Sequence, residues 1–363
     1  MGTIKLILAL SVLFSHIGNF EGMHLFPAEV AVNCFFIISG FYMTLGLSER
    51  YLTPDTNYQF YLGRFFRIWP TYFISLLILM PWGSLRRSIL LMMDLPLPME
   101  ALALFSNFTM FGLDILTHIS GVDGHVVFSE YGIDPNQNGA KFILNTSAWS
   151  LSLELLFYLI APFVVRSFKK SLIFITIGLA YCFYIKHINT TLPDKYRTDI
   201  YFPNAMAYFG LGILGYWLNR LYPISRPKNW GYYFSLAGVA FISLWVSPVI
   251  FVGFITLAIF SRLLFDLSKK SKIDKFLGDL AFPIYILQIP VGAMVRAIGV
   301  LELNTFSYFI ATITISLIVL LVVERPIEKL RVRLYRGKKR ADSNDHAVEN
   351  MHSLQPQAGS VGI

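Results

Sequence analysis

Long apolar runs separated by short polar turns make up most of the chain. Runs near residues 4–20, 29–47, 68–82, 146–166, 171–187, 203–219, 231–247, 249–265, 280–298 and 305–323 each approach or reach the length a helix needs to cross a bilayer. They predict an all-α integral membrane protein of about ten transmembrane helices. The stretch 88–113 is apolar only in parts, interrupted by Asp94, Pro96, Pro98 and Glu100. It reads as an interfacial or re-entrant helix inside one long external loop, 83–145, whose length suits a lid or an acceptor-binding role. From Gly337 onward the apolar period is lost, so the expected organisation is a transmembrane domain, 1–335, and a disordered cytoplasmic tail, 336–363. Lys5 followed by Leu6 to Phe14 imitates a signal peptide, but no small-x-small cleavage site comes after it, and the segment is expected to stay as the first helix.

Composition sharpens this picture. Of the 363 residues 55% are hydrophobic and only 14% charged, and the mean hydropathy is +0.58. Soluble domains carry about 25% charged residues, so a soluble enzyme is excluded. The net charge of +8 raises nucleic acid as a partner, but the basic residues fall in clusters between apolar runs, which points to membrane orientation instead. With the amino terminus in the cytoplasm, Arg86, Arg87, Lys141, Lys186, Lys195, Arg197 and Arg296 are outside, leaving 23 of the 30 Lys and Arg inside. Both termini are therefore expected in the cytoplasm, with no nucleic-acid partner. Cys34 and Cys182 lie within apolar runs and read as reduced, buried thiols.

Candidate chemistry lies inside the membrane. Glu154, in the run from Ile143 to Val165, costs roughly 2.5 kcal/mol or more to insert, so it needs a partner or a wet cavity. His16, late in the first helix, is the second ionisable residue in an apolar run. Both are expected in the outer half, where they read either as a general-base pair or as a structural ion pair. Lys5 lies about 16 Å below His16, at the inner face. Arg64 and Arg67, three apart at the cytoplasmic entrance of the third span, share a helix face ahead of Pro70. They read either as a phosphate site or as positive-inside anchors. His118, His125, Asp114 and Asp123 fit no standard metal spacing, so no metal site is expected. The chain has no P-loop, dinucleotide fingerprint or zinc-protease helix. Phosphate-binding groups inside and acid-base groups outside suit the transfer of an activated group across the membrane. A proton-coupled transporter or flippase for a lipid-linked or anionic substrate is the alternative, and a structural scaffold the third reading.

Four stretches, taken in order, resemble the acyltransferase 3 family of integral membrane acyltransferases. They are Lys5 with His16; Val32 to Phe41, with its Phe-Phe and Ser-Gly-Phe; Arg64 to Tyr72, with its paired arginines; and Trp149 to Tyr158, with its Trp-Ser-Leu, Glu and Phe-Tyr. The resemblance covers about residues 3–330. It implies transfer of an acyl group, commonly acetyl from acetyl-CoA or another acyl-CoA, to the hydroxyl of a cell-surface or lipid-linked carbohydrate in a bacterial inner membrane. By position His16 would be catalytic with Glu154 as its buried acidic partner, and Lys5, Arg64 and Arg67 would bind the donor's phosphates. The chain departs from the family in having Lys5 in place of arginine and Gln288 where histidine is expected. The sequons at Asn107, Asn145 and Asn189 carry no weight in a bacterial host.

Overall fold

The computed structural model describes residues 1–17, 25–82, 84–128, 138–188, 200–223, 250–298 and 305–333. In chain order its elements are α1 (Gly2–Ile17), α2 (Ala28–Glu49), α3 (Asn57–Leu79), α4 (Ser84–Met92), α5 (Leu97–Thr109), α6 (Leu113–Leu116), β1 (Ile119–Val122), β2 (His125–Phe128), α7 (Trp149–Val164), α8 (Phe168–Ile188), α9 (Phe202–Leu221), α10 (Ile250–Ser268), α11 (Lys272–Ile298) and α12 (Thr305–Val319). Seven helical stretches among the described residues are long and apolar enough to cross a membrane, α2, α3, α7, α8, α10, α11 and the stretch Phe306–Arg333 that contains α12, while α1 is a shorter apolar helix. The protein is thus a mainly helical membrane protein. The expected span at 231–247 and the tail 336–363 lie outside the described residues.

Tight helix contacts run through small residues, as expected where lipid offers no hydrophobic drive for association. A Cβ on Gly212 of α9 would lie 2.0 Å from the carbonyl oxygen of Ile37, and one on Gly40 of α2 would lie 2.1 Å from that of Phe209. Long-range polar ties collect at one end of the bundle, where the amino terminus lies. Asp274 of α11 accepts from the backbone N–H groups of Gly2 (2.7 Å) and Thr3 (2.9 Å), capping α1 from another helix. At that end Arg262 pairs with Glu49 at 2.5 Å, and Arg166 donates to Tyr51 O (2.8 Å) and Asn57 Oδ1 (2.6 Å).

The third span differs from its expected bounds. Hydropathy puts it at 68–82, but α3 begins at Asn57, led in by a 3₁₀ turn at Pro54–Thr56. Its polar first half lowers the hydropathy, yet Phe60, Gly63 and Ile68 are buried there. Arg64 and Arg67 therefore sit about two to three turns inside the helix, not at its entrance.

At the opposite end, the segment expected at 88–113 is two helices, α4 and α5. Beyond them β1 and β2 pair antiparallel around Asp123 and Gly124, both at positive φ. Tyr72 donates to Asn107 O (2.6 Å), and Asn145 donates to Ser75 Oγ and Ile286 O (both 2.9 Å), so this region is anchored to α3 and α11.

Candidate active site

Four of the five residues singled out from sequence meet in one cavity of about 470 Å³: Lys5 of α1, Arg64 and Arg67 of α3, and Glu154 of α7. At the end of the bundle that holds the amino terminus, its wall includes Ser268, Lys269, Asp274 and Lys275; further in it includes Val32, Phe35, Ser150 and Tyr285.

Glu154 has partners the sequence did not suggest. Its Oε1 accepts from Ser39 Oγ of α2 at 2.8 Å and from the hydroxyl of Tyr158, one turn along α7. The Arg64 guanidinium stands 5.6 Å from the ring centre of Phe60 and 5.7 Å from that of Tyr158. Lys5 Nζ lies 4.3 Å from the ring centre of Tyr42. Asp279 also lines the cavity and acts electrostatically on Lys5, as Glu154 does. Even so, among the described residues none of Lys5, Arg64 and Arg67 forms an ion pair, and Arg64 Nε is buried with no hydrogen-bond partner. Lys5 and Arg64 are half-buried and Arg67 is exposed; cations grouped in one cavity without carboxylate ion pairs among the described residues suit an anion, since an arriving anion supplies the counter-charge they lack.

His16 is not among the residues lining this cavity. Its Nδ1 lies 2.9 Å from Val12 O; a carbonyl only accepts, so Nδ1 is the donor, and in the neutral ring that arrangement gives Nε2 the lone pair a base needs. Helix register gives its height. Gly2 packs on the backbone of Asp274 and Gly278, so α1 and α11 run side by side in the same direction. Ser150 Oγ and Tyr285 OH, 2.6 Å apart, fix α7 against α11. Glu154, one turn beyond Ser150, is then roughly level with the stretch Lys5 to Leu8, and His16 lies about 12 to 15 Å higher. The direct pair of His16 and Glu154 expected from sequence is absent: each side chain is bonded elsewhere, at a different depth. Val32, ten residues up α2 from Tyr42, stands about 15 Å above Lys5 and so close to the level of His16. The cavity thus reaches from the cations towards the histidine.

Other candidates from sequence have local roles. Asp114 accepts from Ser152 Oγ at 2.6 Å, and burial pushes its carboxyl above the ordinary range. The His118 ring lies flat on Tyr201, with centroids 3.7 Å apart. No cluster of three or more His, Cys, Asp or Glu suited to a metal occurs among the described residues. Cys34 and Cys182 are free thiols. Gln288 is fully buried, donating to Tyr285 O at 3.0 Å. Sequence reasoning quoted Ser39 and Tyr158 only as parts of motifs, gave them no role at the site, and did not single out Tyr42 or Asp279. Tyr158 also had a readable signal in its spacing of four from Glu154 on a helix.

The family model described as an acyltransferase domain, Acyl_transf_3, matches residues 2–325. No curated protein and no solved structure matches the chain.

Proposed function

The chain belongs to the acyltransferase 3 family and is a membrane acyltransferase, and on that premise we propose that it moves an acyl group, acetyl first among the candidates, from cytoplasmic acyl-CoA to a hydroxyl of a cell-surface or lipid-linked carbohydrate in a bacterial inner membrane. The observation that carries this reading is the cavity's set of three cations, Lys5, Arg64 and Arg67, that form no ion pair among the described residues. A bare hydroxyl acceptor has no use for them, whereas the phosphates of a CoA ester do. Guanidiniums present planar forks to phosphate oxygens, and Lys5 adds a point charge.

In this mechanism the phosphates rest on Arg64, Arg67 and Lys5, and the thioester arm runs up the cavity past Ser150 and Tyr285. Nε2 of His16 takes the proton from the acceptor hydroxyl as its oxygen attacks the thioester carbonyl. The tetrahedral adduct expels the thiolate, which receives the proton from His16, giving an ester and free CoA. Glu154 acts at the donor end, where its negative charge limits the mutual repulsion of the three cations.

The test is mass spectrometry of surface glycans from cells expressing the intact protein or a stably inserted His16→Ala variant. An acyl mass increment present with the first and lost with the second is the expected result; loss of a positioned base removes about 10² to 10⁴ in rate. An increment that survives His16→Ala would remove the histidine from the chemistry. No increment with either protein, with both verified in the membrane, would favour transport.

A further inference from the structure

Arg67 is backed by the end of the last helix. Gly63, Arg67 and Thr71 are four apart along α3 and share one face. The helical stretch Phe306–Arg333 grips that face on both sides of Arg67. Arg331 Nη1 donates to Gly63 O at 3.1 Å, and Thr71 Oγ1 donates to Glu324 Oε1 at 2.5 Å. Glu324 acts electrostatically on Arg67, together with Asp279 and Glu154, yet no carboxylate forms an ion pair with this guanidinium among the described residues.

The backbone is irregular at this point. Leu320–Glu324 forms a π turn, closed by the Arg325 N–H on Leu320 O. Such turns place one extra residue in a helix and recur at functional sites. Removing a residue there rotates the helix after it by about 100° relative to the helix before it, so Glu324 and Arg331 could not both keep their contacts with α3. A carboxylate within an apolar helix is costly, and a hydroxyl or amide would serve equally well to accept from Thr71. What Glu324 adds over those groups is a carboxyl able to carry negative charge about one helical turn along the shared face from Arg67.

We propose that Glu324 is a positioning residue for donor binding: fixed by Thr71 and by the π turn, it holds the Arg67 guanidinium with its donors towards the cavity. The inference rests on the reading that Arg67 meets the donor's phosphates. Two effects of neutralising Glu324 oppose each other. Removing a negative charge near an anion site would by itself tighten anion binding, whereas losing the orienting group would weaken it. In a pre-organised bidentate site orientation dominates, because a freely rotating guanidinium loses the fork geometry that makes the contact strong.

The experiment is calorimetric binding of acetyl-CoA to the full-length protein in detergent, comparing wild type, Arg67→Ala, Glu324→Gln, Thr71→Val and the double variant Arg67→Ala/Glu324→Gln, each checked for a monodisperse fold. Glu324→Gln keeps the acceptor for Thr71 and is expected to weaken binding about tenfold, with Thr71→Val weakening it in the same direction. In the Arg67→Ala background Glu324→Gln is expected to have no further effect, which is the signature of coupling through Arg67. Equal or tighter binding by Glu324→Gln while Arg67→Ala weakens it would overturn the positioning role and leave the donor site intact. Unchanged binding by Arg67→Ala would overturn the donor-site reading itself. If Glu324→Gln fails to fold, Thr71→Val decides, and wild-type affinity in that variant overturns the proposal.

Discussion

At Glu154 one carboxylate oxygen takes both hydroxyl donors, Ser39 at 2.8 Å and Tyr158. The residue therefore has two separable properties, an acceptor oxygen that ties α2 to α7 and a negative charge among the cations. Glu154→Gln separates them, because an amide oxygen still accepts from both hydroxyls. The variant is expected to unfold within ~1 kcal/mol of wild type by thermal unfolding in detergent, while transfer from acyl-CoA falls because Lys5, Arg64 and Arg67 lose a counter-charge. Wild-type transfer by Glu154→Gln would reduce the residue to a hydrogen-bond acceptor. At this scale the sequence singled out Lys5, Arg64, Arg67 and Glu154, since a charge in or beside an apolar run stands out, but not Asp279 or Glu324. It gave Ser39 and Tyr158 no role of their own, although both lie in the quoted motifs, because hydroxyls are unremarkable in such runs and only their meeting across two helices makes them partners. Nor could it give the different depths of His16 and Glu154, which depend on how far α1, α7 and α11 slide past one another.

Among the elements, α2 and α9 approach each other's backbone closely at Gly40 and Gly212. A Cβ at Gly212 would sit 2.0 Å from Ile37 O and 2.7 Å from Phe41 N; backbone atoms cannot yield as a flexible side chain would. Gly212→Val is expected to push the two helices apart at a cost of about 1 to 3 kcal/mol, read as a lower unfolding midpoint. Because α2 carries Ser39 and Tyr42 into the cavity, the same variant should also weaken acetyl-CoA binding. Wild-type stability in Gly212→Val would show that this contact is looser than its geometry. Most helices were legible from hydropathy because their apolar runs are long. The start of α3 was not, because hydropathy reads Asn57, Gln59, Arg64 and Arg67 as loop although their helix is packed and lines a cavity. The β1–β2 hairpin was missed despite its Asp123-Gly124 turn, a pair whose positive φ values match the right-handed twist of a hairpin. The surrounding loop gave too little alternation to prompt the reading.

Over the whole molecule, chemistry is segregated by end. The cavity wall near the amino terminus carries Lys269 and Lys275, and the α4–α6 helices and the hairpin sit at the other end. The arrangement works only if the first end faces the acyl-CoA pool, so membrane orientation is a test of the proposed function and not merely of topology. The excess of Lys and Arg argues for that end in the cytoplasm. Lys269 and Val126 are both exposed, which makes them suitable reporters. In a background with Cys34 and Cys182 replaced by serine, single variants Lys269→Cys and Val126→Cys are to be treated in intact cells with a membrane-impermeant maleimide. Labelling of Val126→Cys alone is expected, with Lys269→Cys reacting only after the membrane is permeabilised. The reverse pattern would place the Lys5, Arg64 and Arg67 cavity away from the cytoplasm, where an acyl-CoA donor is not supplied. A phosphate-bearing donor would then have to arrive from the opposite side, and the cytoplasmic-donor mechanism would fall even with His16 and Glu154 in place.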